Sequence, residues 1–320
     1  MTVQTVVREF EMDLVVRSVE RVADDVVSLW LARADGEALP EWTPGAHMDL
    51  ILSDGLVRQY SLCGKTTDTD SWRVAVLKAP DSRGGSKAVH ELTEGATVRV
   101  RGPRNHFPVA ASPRYLFVGG GIGITPLLAM IFEVEAAGAD WELHYGGRSR
   151  ASMAFIDELS QFGDRVHLVP EDEMGRLDLQ AILGTPRTDT LVYACGPEPL
   201  LVAVEDRCAS WPAGALHLER FSARATPAPA VEREFDVVLQ RSGKTLRVPS
   251  DRSIFEVVRE GGVSVLGSCL EGVCGTCETE VIQGDVDHRD SILDEDERAS
   301  NEVMMICVSR CRSERLVLDL

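Results

Sequence analysis

The chain has 320 residues and a formal net charge of −18, with 44% hydrophobic and 26% charged residues. That length supports two or three domains, each with its own core, and so acidic a surface disfavours nucleic-acid and membrane-surface roles because it repels phosphate. Residues 1–5 lack a basic region and charges at 8–13 break any apolar core, so no secretory leader is expected, and the eight cysteines then suit a reducing cytoplasm rather than a disulfide framework.

From residue 14 to about 107 the strand period dominates. Val27, Leu29 and Leu31 alternate, as do Trp72, Val74 and Val76, and the pattern is punctuated by Asp35-Gly36, Pro44-Gly45, Asp54-Gly55 and Glu94-Gly95. This predicts an antiparallel barrel or sandwich. Two stretches in it suit a flavin, which needs a flat wall, hydrogen bonds to its ring and a cation for its phosphate. One is Arg58-Gln59-Tyr60-Ser61-Leu62, with Arg58 and Tyr60 on one strand face and Ser61 on the other. The other is Ser82-Arg83-Gly84-Gly85-Ser86-Lys87, a glycine pair that opens a short helix and offers bare amides to a phosphate. Tyr60 also reads as an ordinary strand residue with a satisfied hydroxyl, and His90 as a structural helix residue.

At Tyr115 the period changes. Residues 115–132 form an eighteen-residue run without a charge, long enough to raise a membrane span. Gly119, Gly120, Gly121, Gly123 and Pro126 interrupt it, so a buried strand, a glycine turn and a buried helix are expected instead. Strands at 141–145, 166–169 and 191–194 alternate with helices at 153–161 and 200–208. Alternation of this kind predicts a doubly wound parallel sheet with ligands at the carboxyl ends of its strands. The glycine run lies where a dinucleotide pyrophosphate would approach, although plain strand–helix packing also explains it. No acidic residue follows the second strand in Gly146-Gly147-Arg148-Ser149-Arg150. Arg148 or Arg150 can accommodate a 2′-phosphate, or Arg148 a ribose or pyrophosphate, which leaves NADH and NADPH both open.

Residues 222–230 are rich in Ala and Pro and read as a semi-rigid tether. A hairpin about Ser242-Gly243-Lys244 and a helix at 253–260 follow, the helix with Ile254, Val257 and Val258 on one face. Then Cys269, Cys274 and Cys277 form a C-x4-C-x2-C run, and Cys307 stands in the apolar stretch 304–308. That is the ligand spacing of a plant-type [2Fe–2S] cluster, with Gly272 and Gly275 letting the loop curl around it. A zinc site is the alternative, but it more often uses paired short knuckles. Cys311 is expected to stay unliganded. The acidic stretch 294–297 reads either as a solvated helix start or as a docking patch for a basic partner.

Taken in order, these motifs resemble the phthalate dioxygenase reductase family, in particular the reductases of vanillate demethylase and carnitine monooxygenase type. The resemblance runs over essentially the whole chain. It rests on the 58–62 and 83–86 motifs, the glycine run 120–126, Cys195-Gly196-Pro197, Glu219-Arg220-Phe221, the iron loop, Asp287-His288-Arg289-Asp290 and Cys307-Val308-Ser309-Arg310. It implies an FMN-binding β-barrel at 1–109, an NAD(P)-binding α/β domain at 110–222, a linker at 223–232 and a β-grasp [2Fe–2S] ferredoxin domain at 233–320. FMN would then contact Arg58, Gln59, Tyr60, Ser61, Leu77, Lys78, Gly84, Gly85 and Ser86, with Thr125 and Phe221 near its ring. FMN is implied rather than FAD because no adenine-holding segment follows Ser86. Gly120, Gly121, Gly123, Thr125, Pro126, Arg148, Cys195, Gly196 and Pro197 would line the nucleotide site, and Cys269, Cys274, Cys277 and Cys307 would hold the cluster. Thr125, Cys195 and Phe221 would position reactants without a covalent role; a nucleophilic Cys195 lacks an activating His nearby.

The implied activity is hydride transfer from NADH, with NADPH possible, onto FMN. Single electrons would then pass through the cluster to a Rieske-type mono- or dioxygenase or demethylase. A haem-thiolate monooxygenase is the alternative recipient. A non-catalytic iron–sulfur redox sensor is a different class of reading, against which the flavin and nucleotide motifs speak, since a sensor needs no hydride donor.

Overall fold

The computed structural model describes residues 10–52, 56–80, 84–224 and 233–320. The expected Asp54-Gly55 turn, Arg83 of the glycine-pair motif and residues 225–232 of the expected linker lie outside them. The chain divides into two compact units, Met1–Glu219 and Arg220–Leu320.

The first unit opens with strands β1 (Phe10–Ala23), β2 (Val26–Ala32), β3 (His47–Ile51), β4 (Val57–Ser61) and β5 (Trp72–Leu77), helix α1 (Gly85–His90), and strand β6 (Thr97–Arg104). They form a six-stranded sheet in the order β4-β3-β6-β1-β2-β5, antiparallel throughout. Register shifts at Val16/Ser18 and Arg21/Ala23 bend β1, the long central strand. The sheet closes on itself at an isolated bridge between Leu62 and Val74, making a barrel. Alternation fills its interior: Leu29 and Leu31, Trp72, Val74 and Val76, Met48 and Leu50 all share one buried cluster. On the outer side, fully buried Asp49 accepts from Arg101 at 2.8 Å and Arg104 at 2.7 Å, so a buried carboxylate pins β3 to β6.

A second sheet follows in the same unit. Its elements are β7 (Arg114–Gly120), α2 (Ile124–Ala136), β8 (Asp140–Gly147), α3 (Ile156–Ser160), β9 (Val166–Pro170), α4 (Glu171–Met174), α5 (Leu179–Leu183), β10 (Thr190–Cys195), α6 (Glu198–Cys208) and β11 (Leu216–Glu219). The five strands are parallel, in the order β11-β10-β7-β8-β9. The uncharged run 115–132 is a buried strand and helix, and among the described residues no helix is long and apolar enough to cross a membrane. The helix expected at 153–161 is shorter, because Met153 and Phe155 instead turn into the core and Phe155 takes a φ of 64°. Barrel and α/β sheet share a core: Val26, Cys63 and Ala75 pack with Ile124, Leu127 and Phe155. Arg73, 5% exposed, crosses this boundary, donating to Ser28 at 2.9 Å and to both Glu158 oxygens at 2.9 and 2.7 Å.

The second unit contains β12 (Phe235–Leu239), β13 (Lys244–Val248), α7 (Ile254–Glu260), β14 (Glu278–Gln283), β15 (Val286–Asp287), α8 (Glu295–Ser300), β16 (Val303–Met305), β17 (Arg310–Cys311) and β18 (Arg315–Leu318). Its main sheet runs β13-β12-β18-β14-β16, with β12 and β18 parallel, and β15 pairs with β17. Helix α7 packs its Ile254, Phe255, Val257 and Val258 face into the core, in a β-grasp arrangement, and starts with a Ser253–Glu256 capping box. The acidic stretch is the start of α8, where Asp294 and Glu297 make a second capping box. Arg310 donates to three carbonyls, those of Arg252, Arg233 and Pro249, and lies over the Phe235 ring.

Candidate functional site

Three groups of residues come together, two in the first unit and one in the second. The first lies at the barrel seam. Along β4, Arg58 and Tyr60 stand opposite Leu50 and Met48, and Ser61 stands opposite His47, so Arg58 and Tyr60 share a face that Ser61 does not. Helix α1 starts against Arg58: a Cβ on Gly85 would fall 2.3 Å from Arg58 Cγ. Gly84 turns the chain into that helix at φ 96°, a region that favours glycine. Ser86 Oγ accepts from the Ala79 amide at 3.1 Å, tying α1 to the end of β5, where Leu77 and Lys78 sit. His90 Nε2 lies 2.9 Å from the Val76 carbonyl, which gives it the structural role expected of it. Tyr60 is half-buried, and burial pushes its hydroxyl up to about 12, so it stays a neutral donor. The Gln59 side-chain nitrogen is buried without a protein partner. A cation, a neutral phenol, an orphaned amide and a glycine turn thus border one seam, a donor set that fits a flavin mononucleotide.

The second group is the point where the parallel sheet reverses direction. β7 lies beside β10, and Gly119 pairs with Cys195. The two loops beyond them meet glycine to glycine. A Cβ on Gly123 would fall 2.3 Å from the Cys195 carbonyl oxygen, one on Gly120 2.8 Å from Pro197 Cδ, and one on Gly196 3.0 Å from Gly120 Cα. Such backbone approach at a switch point is what a dinucleotide site requires. Thr125 is buried and donates to the Ile122 carbonyl at 3.0 Å, which fixes the start of α2, with Pro126 in its first turn. Gly121 takes φ 53°, and its carbonyl accepts from Tyr145 at 3.0 Å.

Glu219, a residue the sequence reading gave no role, joins this point. It ends β11 directly beside Cys195 and is hydrogen-bonded to Ser61, so Ser61, Cys195 and Glu219 converge from three strands. Burial pushes the Glu219 carboxyl up to about 8, and burial together with the nearby Glu219 raises the Cys195 thiol well above its ordinary range. Both groups are therefore held in their protonated forms near neutral pH, and a protonated thiol is a poor nucleophile. The only sequence signal was the Glu219-Arg220-Phe221 motif, in which Phe221 alone drew attention. Phe221 is 44% exposed and belongs to the second unit. Beyond β8, Arg148 is exposed and its carbonyl accepts from the Asp172 amide at 3.2 Å, while Arg150 pairs with Glu173 at 3.3 Å. Carboxylates thus reach this corner from α4, a neighbour the linear reading of 146–150 did not include.

The third group is the thiol loop of the second unit. Cys269 neighbours Cys274 and Cys307, and Cys307 neighbours Cys277, so the four thiols converge. Amides of Glu271 and Val273 point at Cys269, the first at 3.3 Å, and the amide of Gly272 points at Cys307. Gly272 takes φ 71° and packs on Asp290, and its carbonyl accepts from the Ser291 amide at 2.8 Å. Asp290 in turn accepts from the Leu293 amide at 2.9 Å and so stiffens the wall behind the loop. Crowding by Cys269 raises the Cys274 thiol. At Cys307 the lowering effect of Cys269 is outweighed by Cys277 and burial, and the thiol is pushed up to about 12. Four thiolates this close need a cationic centre to coexist, and loop amides that face their sulfurs suit an iron–sulfur cluster. Cys311 stands apart, its Sγ 3.1 Å from the Ser313 carbonyl.

A closed barrel with a cofactor seam, a parallel sheet with a glycine switch point and four converging thiols define a flavin- and nicotinamide-linked iron–sulfur oxidoreductase. The comparisons agree. Residues 237–312 match the 2Fe-2S iron-sulfur cluster binding domain. The chain is 43% identical to the phenoxybenzoate dioxygenase subunit beta of Ectopseudomonas oleovorans, over 93% of this chain and 94% of that protein. It is 40% identical to the vanillate O-demethylase oxidoreductase of Pseudomonas sp. (strain HR199 / DSM 7063), over 97% and 100% of the two chains. Among solved structures it superposes on phthalate dioxygenase reductase with a TM-score of 0.72 at 36% identity, covering 97% of this chain and 98% of that one. On an intact type IV self-sufficient cytochrome P450 monooxygenase the TM-score is 0.92 at 45% identity, and there this chain, covered over 97% of its length, spans 41% of the longer protein. The chain belongs to the phthalate dioxygenase reductase family.

Proposed function

We propose that this reductase draws electrons from NADH and hands them to a Rieske-type mono- or dioxygenase or demethylase, as the names of its relatives suggest. The observation that carries the reading is the convergence of Cys269, Cys274, Cys277 and Cys307 in a chain whose other unit bears the seam and switch point. When bound, FMN accepts a hydride and the [2Fe–2S] cluster carries electrons singly. Arg58 and the amides of Gly84, Gly85 and Ser86 hold the flavin phosphate, and Gln59, Tyr60, Ser61, Leu77 and Lys78 hold the ribityl chain and ring. Thr125 flanks the ring. Gly120, Gly121, Gly123, Pro126, Arg148, Cys195, Gly196 and Pro197 hold the nicotinamide nucleotide. The Glu173 carboxylate beside Arg150 supports NADH over NADPH, because it opposes a 2′-phosphate. The three domains and the linker keep the expected bounds in this proposal, 1–109, 110–222, 223–232 and 233–320, and the division of the chain between Glu219 and Arg220 lies close to the second of these ends. A cytoplasmic location is part of the proposal, supported by eight cysteines none of which is in a disulfide.

One observation favours a second recipient, a haem-thiolate monooxygenase: the likeness to the self-sufficient P450 exceeds in TM-score that to phthalate dioxygenase reductase. The test is anaerobic addition of NADH to the purified holoprotein. Flavin and cluster absorbance should both bleach, and a spectrum left unchanged sinks the reading. Titration of the reduced protein with a Rieske oxygenase and with a P450 haem domain then separates the two recipients.

A further inference from the structure

Away from all three groups, β8 and β9 place three side chains of one coordination type at the edge of the parallel sheet. His144 and His167 are direct partners across these strands, and Glu142 lies two residues before His144 on the same face. The two imidazoles stack with centroids 4.5 Å apart at 19°. Their Nε2 atoms aim at a single carboxylate oxygen: Glu142 Oε2 is 3.6 Å from His144 and 4.0 Å from His167. All three ligand atoms lie within 4.8 Å of one another. The other carboxylate oxygen, Oε1, accepts from Arg187 Nη1 at 3.0 Å, which fixes the rotation of the group.

We propose that Glu142, His144 and His167 form a binding site for a borderline divalent transition metal such as Zn²⁺. Three protein ligands around a tetrahedral Zn²⁺ lie ~3.3 Å apart, so Glu142 Oε2, now 3.6 Å from His144 and 4.0 Å from His167, needs rotamer adjustments of well under 1 Å toward each imidazole. Two imidazoles and one carboxylate suit Zn²⁺ rather than Ca²⁺ or Mg²⁺, which take oxygen ligands. The ligand set leaves a coordination position open to solvent on the side of His167, the most exposed of the three. Arg187 orients the carboxylate in the way that outer partners of metal ligands do, and its charge sets a limit on affinity. The position gives the ion a role: β9 is an edge strand, held to the sheet by β8 alone, and an ion that spans His144 and His167 cross-links the two.

The test uses the flavin- and cluster-loaded protein and Zn²⁺ alone, followed by calorimetry with the flavin and cluster absorbance recorded in parallel. One saturable site is expected. His144→Gln and His167→Gln should each weaken it by at least ~10-fold, and Zn²⁺ should raise the Tm of the wild type but not of these variants. The His167 side chain is exposed, so that variant folds. Cys311→Ser should bind as the wild type does. Equal binding by the histidine variants, loss of binding in Cys311→Ser, or bleaching of the cluster in step with zinc uptake would each overturn the assignment.

Discussion

Gly85 and Arg58 occupy almost the same space: a Cβ added at Gly85 would lie 2.3 Å from Arg58 Cγ and 2.9 Å from Cδ. Position 85 is therefore a glycine because an arginine stem lies across it. Gly85→Ala should push Arg58 off the seam and weaken FMN retention by about 1.5–3 kcal/mol, the worth of a hydrogen bond to a charged group. Flavin-to-protein stoichiometry after gel filtration measures this. Cluster absorbance should be unaffected, because the thiol loop belongs to the other unit.

Glu219 makes stability depend on pH in a stated direction. The folded chain holds its proton up to about 8, whereas an ordinary glutamate releases it near 4.5. Between those values the folded state binds more protons than the unfolded one, so stability falls as pH rises through the window. Glu219→Gln should flatten the fall in Tm across this range and melt higher than the wild type at about pH 9. Parallel curves for the two proteins would refute the assignment.

Cys274→Ser should abolish the visible cluster bands and leave flavin binding intact. NADH-driven reduction of small quinoid dyes should then persist, while reduction of cytochrome c falls by an order of magnitude or more. Unchanged cytochrome c reduction would mean that electrons leave by another route.

The ion pair of Arg73 and Glu158 joins the barrel to the α/β sheet. Arg73 is 5% exposed and lies over the Phe155 ring at 4.4 Å, whereas Glu158 is 36% exposed. Glu158→Ala strands a buried guanidinium. Breaking a fully buried pair costs about 3–5 kcal/mol, and the exposure of Glu158 reduces this to about 1–3 kcal/mol. A thermal melt followed by flavin fluorescence reads this loss.

Glu173→Ala releases Arg150 and removes an acidic neighbour of the expected ribose end. The NADPH/NADH ratio of kcat/KM should rise by about one order of magnitude, and a constant ratio would remove Glu173 from the specificity argument.

What the sequence revealed was local. A C-x4-C-x2-C run specifies a loop almost by itself, because its spacing is set by the sulfurs it must bring together. The glycines at 120, 123 and 196 were legible for a similar reason, since each stands where a side chain would hit backbone or a neighbouring loop. Barrel strands showed in the alternation of Trp72, Val74 and Val76. The partnership of Ser61 with Glu219 joins β4 to β11, which lie far apart in the sequence, and no periodicity carries such information. Glu173 escaped notice because it reaches Arg150 from beyond β9, not along β8. The overlong helix at 153–161 shows the limit of apolar pattern: Phe155 is apolar because it lies beneath Arg73, not because it continues a helical face.

The barrel seam has a consequence for how the protein is made. β4 pairs with β3 on one side, and on the other, among the described residues, the barrel closes at the bridge from Leu62 to Val74. A strand with an open side is a template for pairing with another chain. A ligand seated along that side shields it. Cells short of riboflavin should then accumulate this reductase as insoluble aggregate and not as soluble apoprotein, with vitamin supply setting its yield.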